Sequence, residues 1–254
     1  MDGCRELVLG NERKALEYLE RAAHLADGAY LAGFQALGQE RLEAAAKYLA
    51  AAAEKHGRLG ALFSKYGFSA RVDLPITDEV SALVEPDLPG VLLGLVEVYQ
   101  RQARWEDALA CLQRLLTLEP GDVVVKLSLA ELWLTVRPGE KESCRNVVRL
   151  AEGVGNETPV HTALLLYKAR ALRGLGLSTA ARETLTGALR RKKGRSAELL
   201  RALRYERALV YEDLGQRRRA RGELEKLYAE DPDYGDVAAR LGLAAATPGD
   251  GSGA

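Results

Sequence analysis

Apolar residues recur at intervals of three and four along most of this chain, which is the spacing that places them on one face of an α-helix. The pattern runs through residues 92–118, 163–189 and 199–229. Short breaks that combine Pro, Gly and helix-capping residues separate such segments, as at Pro120, Pro138, Pro159 and Pro232. The pattern therefore predicts an all-α protein of consecutive helices joined by short turns.

One stretch has a period of two instead. Over residues 68–76 (FSARVDLPI) apolar and polar residues alternate strictly, which is typical of a strand with one buried side. We expect Val72 and Leu74 to be buried against helices, and Arg71 and Asp73 to point outward. Because Pro75 cannot donate a ladder hydrogen bond, the segment is at best an edge strand.

This extended segment has two interpretations. As a strap it would lay its apolar side across neighbouring helices. As a free edge it would pair with a partner strand or with a second copy of the chain, making a homo-oligomer. A single strand is not stable by itself, which favours the strap. Thr77 and Asp78 are expected to cap a short helix that begins near Glu79.

The helical segments also repeat along the sequence. The 34 residues that start at Arg201 align with the 34 that start at Pro89. One helix pair cannot bury its apolar face alone, so such units must stack on one another. The matched positions are Ala208 with Val96, Tyr211 with Tyr99, Ala220 with Ala108, Leu224 with Leu112, Leu227 with Leu115 and Pro232 with Pro120.

This pattern resembles the tetratricopeptide repeat (TPR), a helix–turn–helix unit of that length with small residues where its helices touch and a closing Pro. Further copies start near Leu25 and Thr162, a divergent copy lies within residues 123–158, and residues 10–22 look like half of another. The resemblance implies an all-α, right-handed α-solenoid with one short extended segment near residues 68–76.

The copies and the interruption predict four parts of the chain. Residues 1–65 form N-terminal TPR-like helices, and residues 66–88 form the extended strap and the short helix. Residues 89–243 form the main solenoid. Residues 244–254 are Gly-rich without apolar spacing and are expected to be a disordered tail.

The resemblance also implies a function. In TPR proteins the first helix of each pair lines a concave groove, where peptides usually bind. We therefore expect a non-catalytic scaffold or adaptor that binds a peptide or partner helix, unless the chain's own segments cover the groove. Transferred one at a time, the groove positions are Leu93, Glu97, Arg101, Leu127, Glu131, Leu166, Arg170, Arg173, Tyr205 and Glu212.

Residue types that could perform catalysis do not form a familiar motif. The sequence contains no nucleophile elbow and no phosphate-binding loop. The three cysteines lack the CxxC spacing of a zinc site or a disulfide framework. We expect no enzyme, no cofactor, no metal site, no membrane segment and a reducing, cytoplasmic location. The residues considered are His24, His56, His161, Cys4, Cys111 and Cys144.

Charge leaves a second function open. The chain has 36 Lys and Arg residues against 36 Asp and Glu residues, but residues 1–161 carry −6 and residues 162–234 carry +7. Basic runs at residues 190–195 and 217–221 would suit a regulatory protein whose basic back half binds nucleic acid or an acidic partner. No aromatic residues are interleaved with these runs, so nucleic acid is not the favoured partner.

Overall fold

Helices form almost all of the regular structure. The computed structural model describes residues 2–243, without the side chains of residues 7, 8 and 12, and divides into two compact units. Unit 1 ends at Val136 and unit 2 begins at Arg137. The tail expected at residues 244–254 lies outside the described residues. The domain boundaries drawn from the sequence remain a prediction.

Unit 1 contains eight α-helices, a 3-10 helix and two strands among its described residues. They are α1 (Asp2–Val8), α2 (Glu12–Arg21), α3 (Ala26–Gly38), α4 (Leu42–Glu54), the 3-10 helix His56–Arg58, α5 (Ala61–Tyr66), β1 (Val72–Thr77), β2 (Val80–Val84), α6 (Leu88–Arg101), α7 (Trp105–Leu118) and α8 (Val123–Val136).

Unit 2 contains six α-helices among its described residues. They are α9 (Lys141–Leu150), α10 (Pro159–Gly174), α11 (Ser178–Ala188), α12 (Ala197–Asp213), α13 (Arg217–Glu230) and α14 (Val237–Arg240).

Consecutive helices pack as antiparallel pairs, namely α3 with α4, α6 with α7, α10 with α11 and α12 with α13. Each of these pairs turns through a residue with left-handed backbone: Glu40 (φ 58°), Ala103 (φ 55°), Gly176 (φ 77°) and Gly215 (φ 69°). An L side chain is strained in this conformation, which explains glycine at the last two positions. The helix–turn–helix unit of the sequence repeat is therefore present.

Small residues let the helices approach closely. A Cβ atom added at Gly33 of α3 would lie 2.6 Å from Cγ of Leu49 on α4, closer than such atoms can come. A Cβ at Gly94 of α6 would lie 2.7 Å from Cζ of Phe34 on α3. These glycines hold α3, α4 and α6 at a spacing that any larger residue would widen.

The end of unit 2 has its own apolar core. Ala208 on α12 is fully buried against α13, and Ala220 on α13 is 2% exposed. The short helix α14 closes this core. The buried cluster comprises Ala208, Leu224, Leu227, Val237 and Leu241, with Tyr205, Tyr228 and Tyr234 packed against it.

The segment of alternating residues is a strand, β1, and it pairs antiparallel with β2 to form a hairpin. Leu74 is buried and Arg71 and Asp73 are exposed, as predicted, whereas Val72, which was predicted to be buried, is only half-buried. β1 packs against α8, and β2 packs against α6. The hairpin is thus a strap within unit 1.

The prediction of a short helix that begins near Glu79 is wrong. Asp78 and Glu79 form the turn of the hairpin, and the chain re-enters a strand at Val80. Val80 and Val84 face the helices and are buried, while Ser81 and Leu83 are exposed, so β2 has a period of two as well. Thr77 Oγ1 accepts a hydrogen bond from the backbone N–H of Glu79, a contact that stabilises a turn as readily as a helix start.

Candidate functional site

The ten groove positions fall in both units, and three of them are leucines. Leu93 (6% exposed), Leu127 (0%) and Leu166 (0%) lie in the cores of their own units. A partner cannot reach these leucines unless the elements that cover them move away. Their burial matches the alternative in which the chain covers its own apolar row, whereas the other seven positions are half-buried or exposed.

In unit 1 the hairpin covers the first helices of the pairs. The hydroxyl of Tyr30 on α3 donates to the carbonyl oxygen of Ala70 (3.1 Å) and lies 3.4 Å from that of Val84, at the two ends of the hairpin. Tyr30 is fully buried, and its ring meets Phe34 and Phe63 edge to face at centroid distances of 4.8 and 6.1 Å. The hairpin therefore rests on α3, α6 and α8.

Glu131 on α8 lies under the tip of this hairpin. Burial first of all, and then the charges of Glu79, Asp78 and Glu97, raise its pKa to about 7, although a hydrogen bond with Gln100 opposes the shift. Four carboxyl groups from the hairpin turn, α6 and α8 thus share one site.

Arg101 on α6 bridges two carboxylates of unit 1. Its Nε donates to Oε1 of Glu97 over 2.6 Å, and its Nη1 donates to Oε1 of Glu40 over 2.5 Å. Burial lowers the pKa of Arg101, but the hydrogen bonds and charges of Glu97 and Glu40 outweigh it, and the net shift is upward. Arg101 therefore joins the left-handed turn after α3 to the C-terminal end of α6.

In unit 2 the predicted arginines of α10 meet an acid of α12. Arg173 Nε donates to Oε1 of Glu206 over 2.6 Å, and Arg170 Nε lies 3.7 Å from the other carboxylate oxygen. The Glu206 side chain is 5% exposed, whereas those of Arg170 and Arg173 are 31% and 34% exposed. Glu206 is thus the buried partner, whereas the side chains of Arg170 and Arg173 reach the surface.

The remaining predicted residues of unit 2 form a second network. Tyr205 donates its hydroxyl to Oδ1 of Asp236 over 2.5 Å, and Arg240 donates to the same carboxylate and to Oε2 of Glu212. The hydrogen bonds from Arg240 and Tyr205 lower the pKa of Asp236. Tyr205 also meets the ring of Tyr234 edge to face at 5.6 Å.

Sequence reasoning missed Glu206, Asp236 and Arg240. A signal for Glu206 exists in the sequence, because Arg170 and Arg173 share one helical face with no acid three or four residues away in their own helix. Two such arginines favour pairing with a carboxylate from another element. Asp236 and Arg240 have the spacing of an i,i+4 pair, but nothing in the sequence indicates that they meet Tyr205 and Glu212.

The basic residues of unit 2 differ in their surroundings. Arg201, Arg204 and Arg207 on α12 pair with Asp231, Glu230 and Glu223, so their charge is largely neutralised within the unit. Residues 190–193 are exposed in the turn after α11. Binding of nucleic acid or of an acidic partner by this unit stays a prediction.

The groups with potential for chemistry lie apart. Nδ1 of His24 and of His56 donate to nearby helix carbonyls over 3.0 Å, and His161 Nδ1 lies 2.8 Å from Thr158 Oγ1. Burial raises the pKa of the Cys111 thiol to about 11, which disfavours the nucleophilic thiolate. Within residues 2–243, no three His, Cys, Asp or Glu side chains are grouped to hold a metal ion.

Over the described part of the chain, no helix reaches the length and hydrophobicity that a bilayer crossing requires.

Solved structures provide the comparison. No protein-family model and no curated protein matches the sequence. Of the similar structures, TTC0263, a thermophilic TPR protein of Thermus thermophilus, is 15% identical with a TM-score of 0.53 over 85% of this chain and 97% of its own. YrrB, a TPR protein with an unusual peptide-binding site, is 14% identical with a TM-score of 0.54 over 89% and 96%.

A third similar structure is Acl4, an assembly chaperone of RpL4. It is 15% identical, with a TM-score of 0.57 over 95% of this chain and 92% of its own. At these identities the likeness concerns the fold alone, and it agrees with the all-α helix pairs described above. This chain therefore has the tetratricopeptide repeat fold.

Proposed function

We propose that the chain is a non-catalytic protein-binding module and that its binding surface lies on α10 and α12 of unit 2. This surface, called the α10–α12 surface below, comprises Arg170, Arg173, Tyr205 and Glu212. The observation that carries the proposal is that these side chains are held by hydrogen bonds or ion pairs within unit 2 and yet remain partly exposed. The exposed fractions are 31% for Arg170, 34% for Arg173 and 34% for Glu212.

Such an arrangement suits recognition because the side chains are already ordered before a partner arrives. Ordering a free arginine at an interface costs roughly 0.5–1.5 kcal/mol, and a pre-organised one avoids most of that cost. Arg and Tyr are also the residue types enriched at interface centres. The surface carries both signs of charge, so a peptide or helix with both acidic and basic side chains is its matching partner.

The covered state of unit 1 supports placing the surface in unit 2. In unit 1 the hairpin already covers α3, through Tyr30, and also α6 and α8. Peptide binding is the property stated for YrrB, which shares the fold. We extend it to this chain as a proposal only.

The test compares the proteins that the full chain and its matched variants capture from a cell lysate. Arg170→Gln with Glu212→Gln removes one charge of each sign from the α10–α12 surface. Arg221→Gln with Glu225→Gln neutralises an exposed i,i+4 pair on α13 and serves as the control. Quantitative mass spectrometry should find proteins that the wild type and the control capture and the surface variant does not. Equal capture by all three forms, each helical by circular dichroism, would overturn the assignment.

A further inference from the structure

Unit 1 contains an apolar cavity of about 290 Å³ between α1, α2, α3 and α5. Leu19, Leu31, Phe63 and Phe68 form its walls. This volume is at the lower end of ligand pockets, roughly 300 Å³, so it has room for one or two large side chains rather than for a folded element.

The rim of the cavity is unusually apolar for a surface. Tyr18 (41% exposed), Leu25 (42%), Leu62 (38%) and Tyr66 (51%) all border it. They are four of the nine large hydrophobic residues that are exposed within residues 2–243, and the other five lie elsewhere. Apolar residues concentrated around one concavity indicate an interaction site, whereas single exposed ones do not.

The cavity is pre-formed rather than a gap between loose elements. Asp27 on α3 is 3% exposed and accepts hydrogen bonds from the backbone N–H groups of Gly60 (2.6 Å), Leu62 (2.7 Å) and Phe63 (3.3 Å). This carboxylate fixes the start of α5 against α3. Its oxygens are therefore engaged in the fold and are not offered to a ligand.

Cations surround the apolar rim. Arg21 and Lys65 lie over the rings of Tyr18 and Tyr66 at 5.9 and 5.3 Å. A second depression of about 550 Å³ adjoins the cavity and shares Leu25 and Leu62 with it. Lys55 and Arg58 line that depression, and Lys55 donates to the carbonyl oxygen of His24.

None of these four cations forms an ion pair with an acid in the described part of the chain. Besides Asp27, the acids that line the two concavities are Asp2 and Glu54. Unit 1 as a whole has 14 Lys and Arg residues against 20 Asp and Glu residues, so a basic rim is a local exception.

We propose that this cavity docks a short acidic peptide, with one large apolar side chain in the cavity and carboxylates beside the cations of the rim. The site is independent of the α10–α12 surface. A second copy of the chain fits poorly, because a two-fold contact would place each basic rim against its own copy. A purely apolar ligand would leave the four cations without a counter-charge.

The experiment selects ligands without assuming a sequence. The full-length chain is panned against a phage-displayed library of random twelve-residue peptides. We expect enriched peptides that combine Phe, Leu, Trp or Met with neighbouring Asp or Glu. An enriched peptide is then synthesised with a fluorophore and titrated by fluorescence polarisation.

Matched variants locate the binding. Leu62→Glu with Tyr66→Glu should weaken the selected peptide about ten-fold or more. Leu83→Glu with Leu118→Glu changes two exposed leucines elsewhere in unit 1 and should leave the affinity unchanged. Tyr66→Glu alone, at the most exposed position of the rim, is the reserve variant should the double variant unfold. Arg21→Gln with Lys65→Gln should weaken binding and flatten its dependence on salt.

Four results would overturn the proposal. These are a library that yields no enriched peptide, enriched peptides without acidic residues, binding that the rim variants leave unchanged, and a dimer seen by light scattering that Leu62→Glu dissolves. The variant Arg170→Gln with Glu212→Gln should keep full affinity for the peptide. The peptide affinity of this variant therefore tests the cavity site separately from the α10–α12 surface.

Discussion

Arg173 on α10 donates a hydrogen bond of 2.6 Å to Glu206 on α12, and the two residues differ sharply in exposure, at 34% and 5% of their side chains. The pair joins the first helices of two successive repeats. Because only the acid is buried, removing one partner should not have the same effect as removing the other.

We predict that Arg173→Ala destabilises the chain by about 2–3 kcal/mol, because the buried carboxylate loses its 2.6 Å hydrogen bond to a cation. Glu206→Gln should cost about 1 kcal/mol, because the arginines can turn to water. Urea unfolding of each variant measures both free energies. The double variant should cost less than the sum of the two, and equal effects of the single changes would contradict this account.

The pKa of Glu131 predicts an unusual dependence of stability on pH. The folded pKa is about 7 against an ordinary value of 4.5, so the folded chain binds the proton more tightly than the unfolded chain. The resulting stabilisation is complete below pH 4.5 and is lost as pH rises through 7. Between pH 6 and pH 8 the unfolding free energy should fall by about 1.4 kcal/mol.

Glu131→Gln should remove this slope. Comparing the two proteins by urea unfolding at pH 6, 7 and 8 isolates it, since other titrating groups are common to both. The unfolding free energy of the variant should increase relative to that of the wild type as pH rises. Parallel curves would mean that Glu131 ionises freely beside Asp78, Glu79 and Glu97.

The hydrogen bond from the Tyr30 hydroxyl to Ala70 should contribute to the stability of the hairpin. Tyr30→Phe keeps the ring packing but removes the hydrogen bond to Ala70, and the buried carbonyl is left without it. We expect a loss of about 1–2 kcal/mol and faster amide hydrogen exchange across residues 70–84. Unchanged exchange there would show that side-chain packing alone holds the strap.

The left-handed turn after α6 predicts a stabilising change. Ala103 has φ 55° and is exposed, so its Cβ is strained and contributes little packing. Ala103→Gly should raise the unfolding free energy by about 0.5–1 kcal/mol. Ala110→Gly, at an exposed position inside α7, should lower it by about 1 kcal/mol. Thermal unfolding of the two variants checks that the signs are opposite.

The strap segment illustrates how far the sequence leads. β1 was predicted, together with its buried and exposed sides, because alternation over nine residues is a local signal. β2 was not, because its run of five residues is short and because Thr77 and Asp78 favour a helix start as much as a turn. Pairing between β1 and β2 is what selects the strand, and pairing cannot be read from either segment alone.

The groove positions illustrate the opposite limit. Transferring them from the repeat pattern placed Arg170, Arg173, Tyr205 and Glu212 at the surface of unit 2, where they are partly exposed. It also proposed Leu127 and Leu166 as surface residues, and both are fully buried. Exposure depends on which neighbouring elements cover a helix, and a periodic pattern reports only which residues share a face.

The sequence by itself determined the helices, their turns and the repeating pair, because these depend on apolar spacing and on Gly and Pro within a few residues. Only the tertiary structure decided that a hairpin covers the first helices of unit 1 and that Glu206 pairs with two arginines of α10. It also decided that apolar side chains from four helices border one cavity. These features join residues of different elements, and burial and charge between such residues are set by packing.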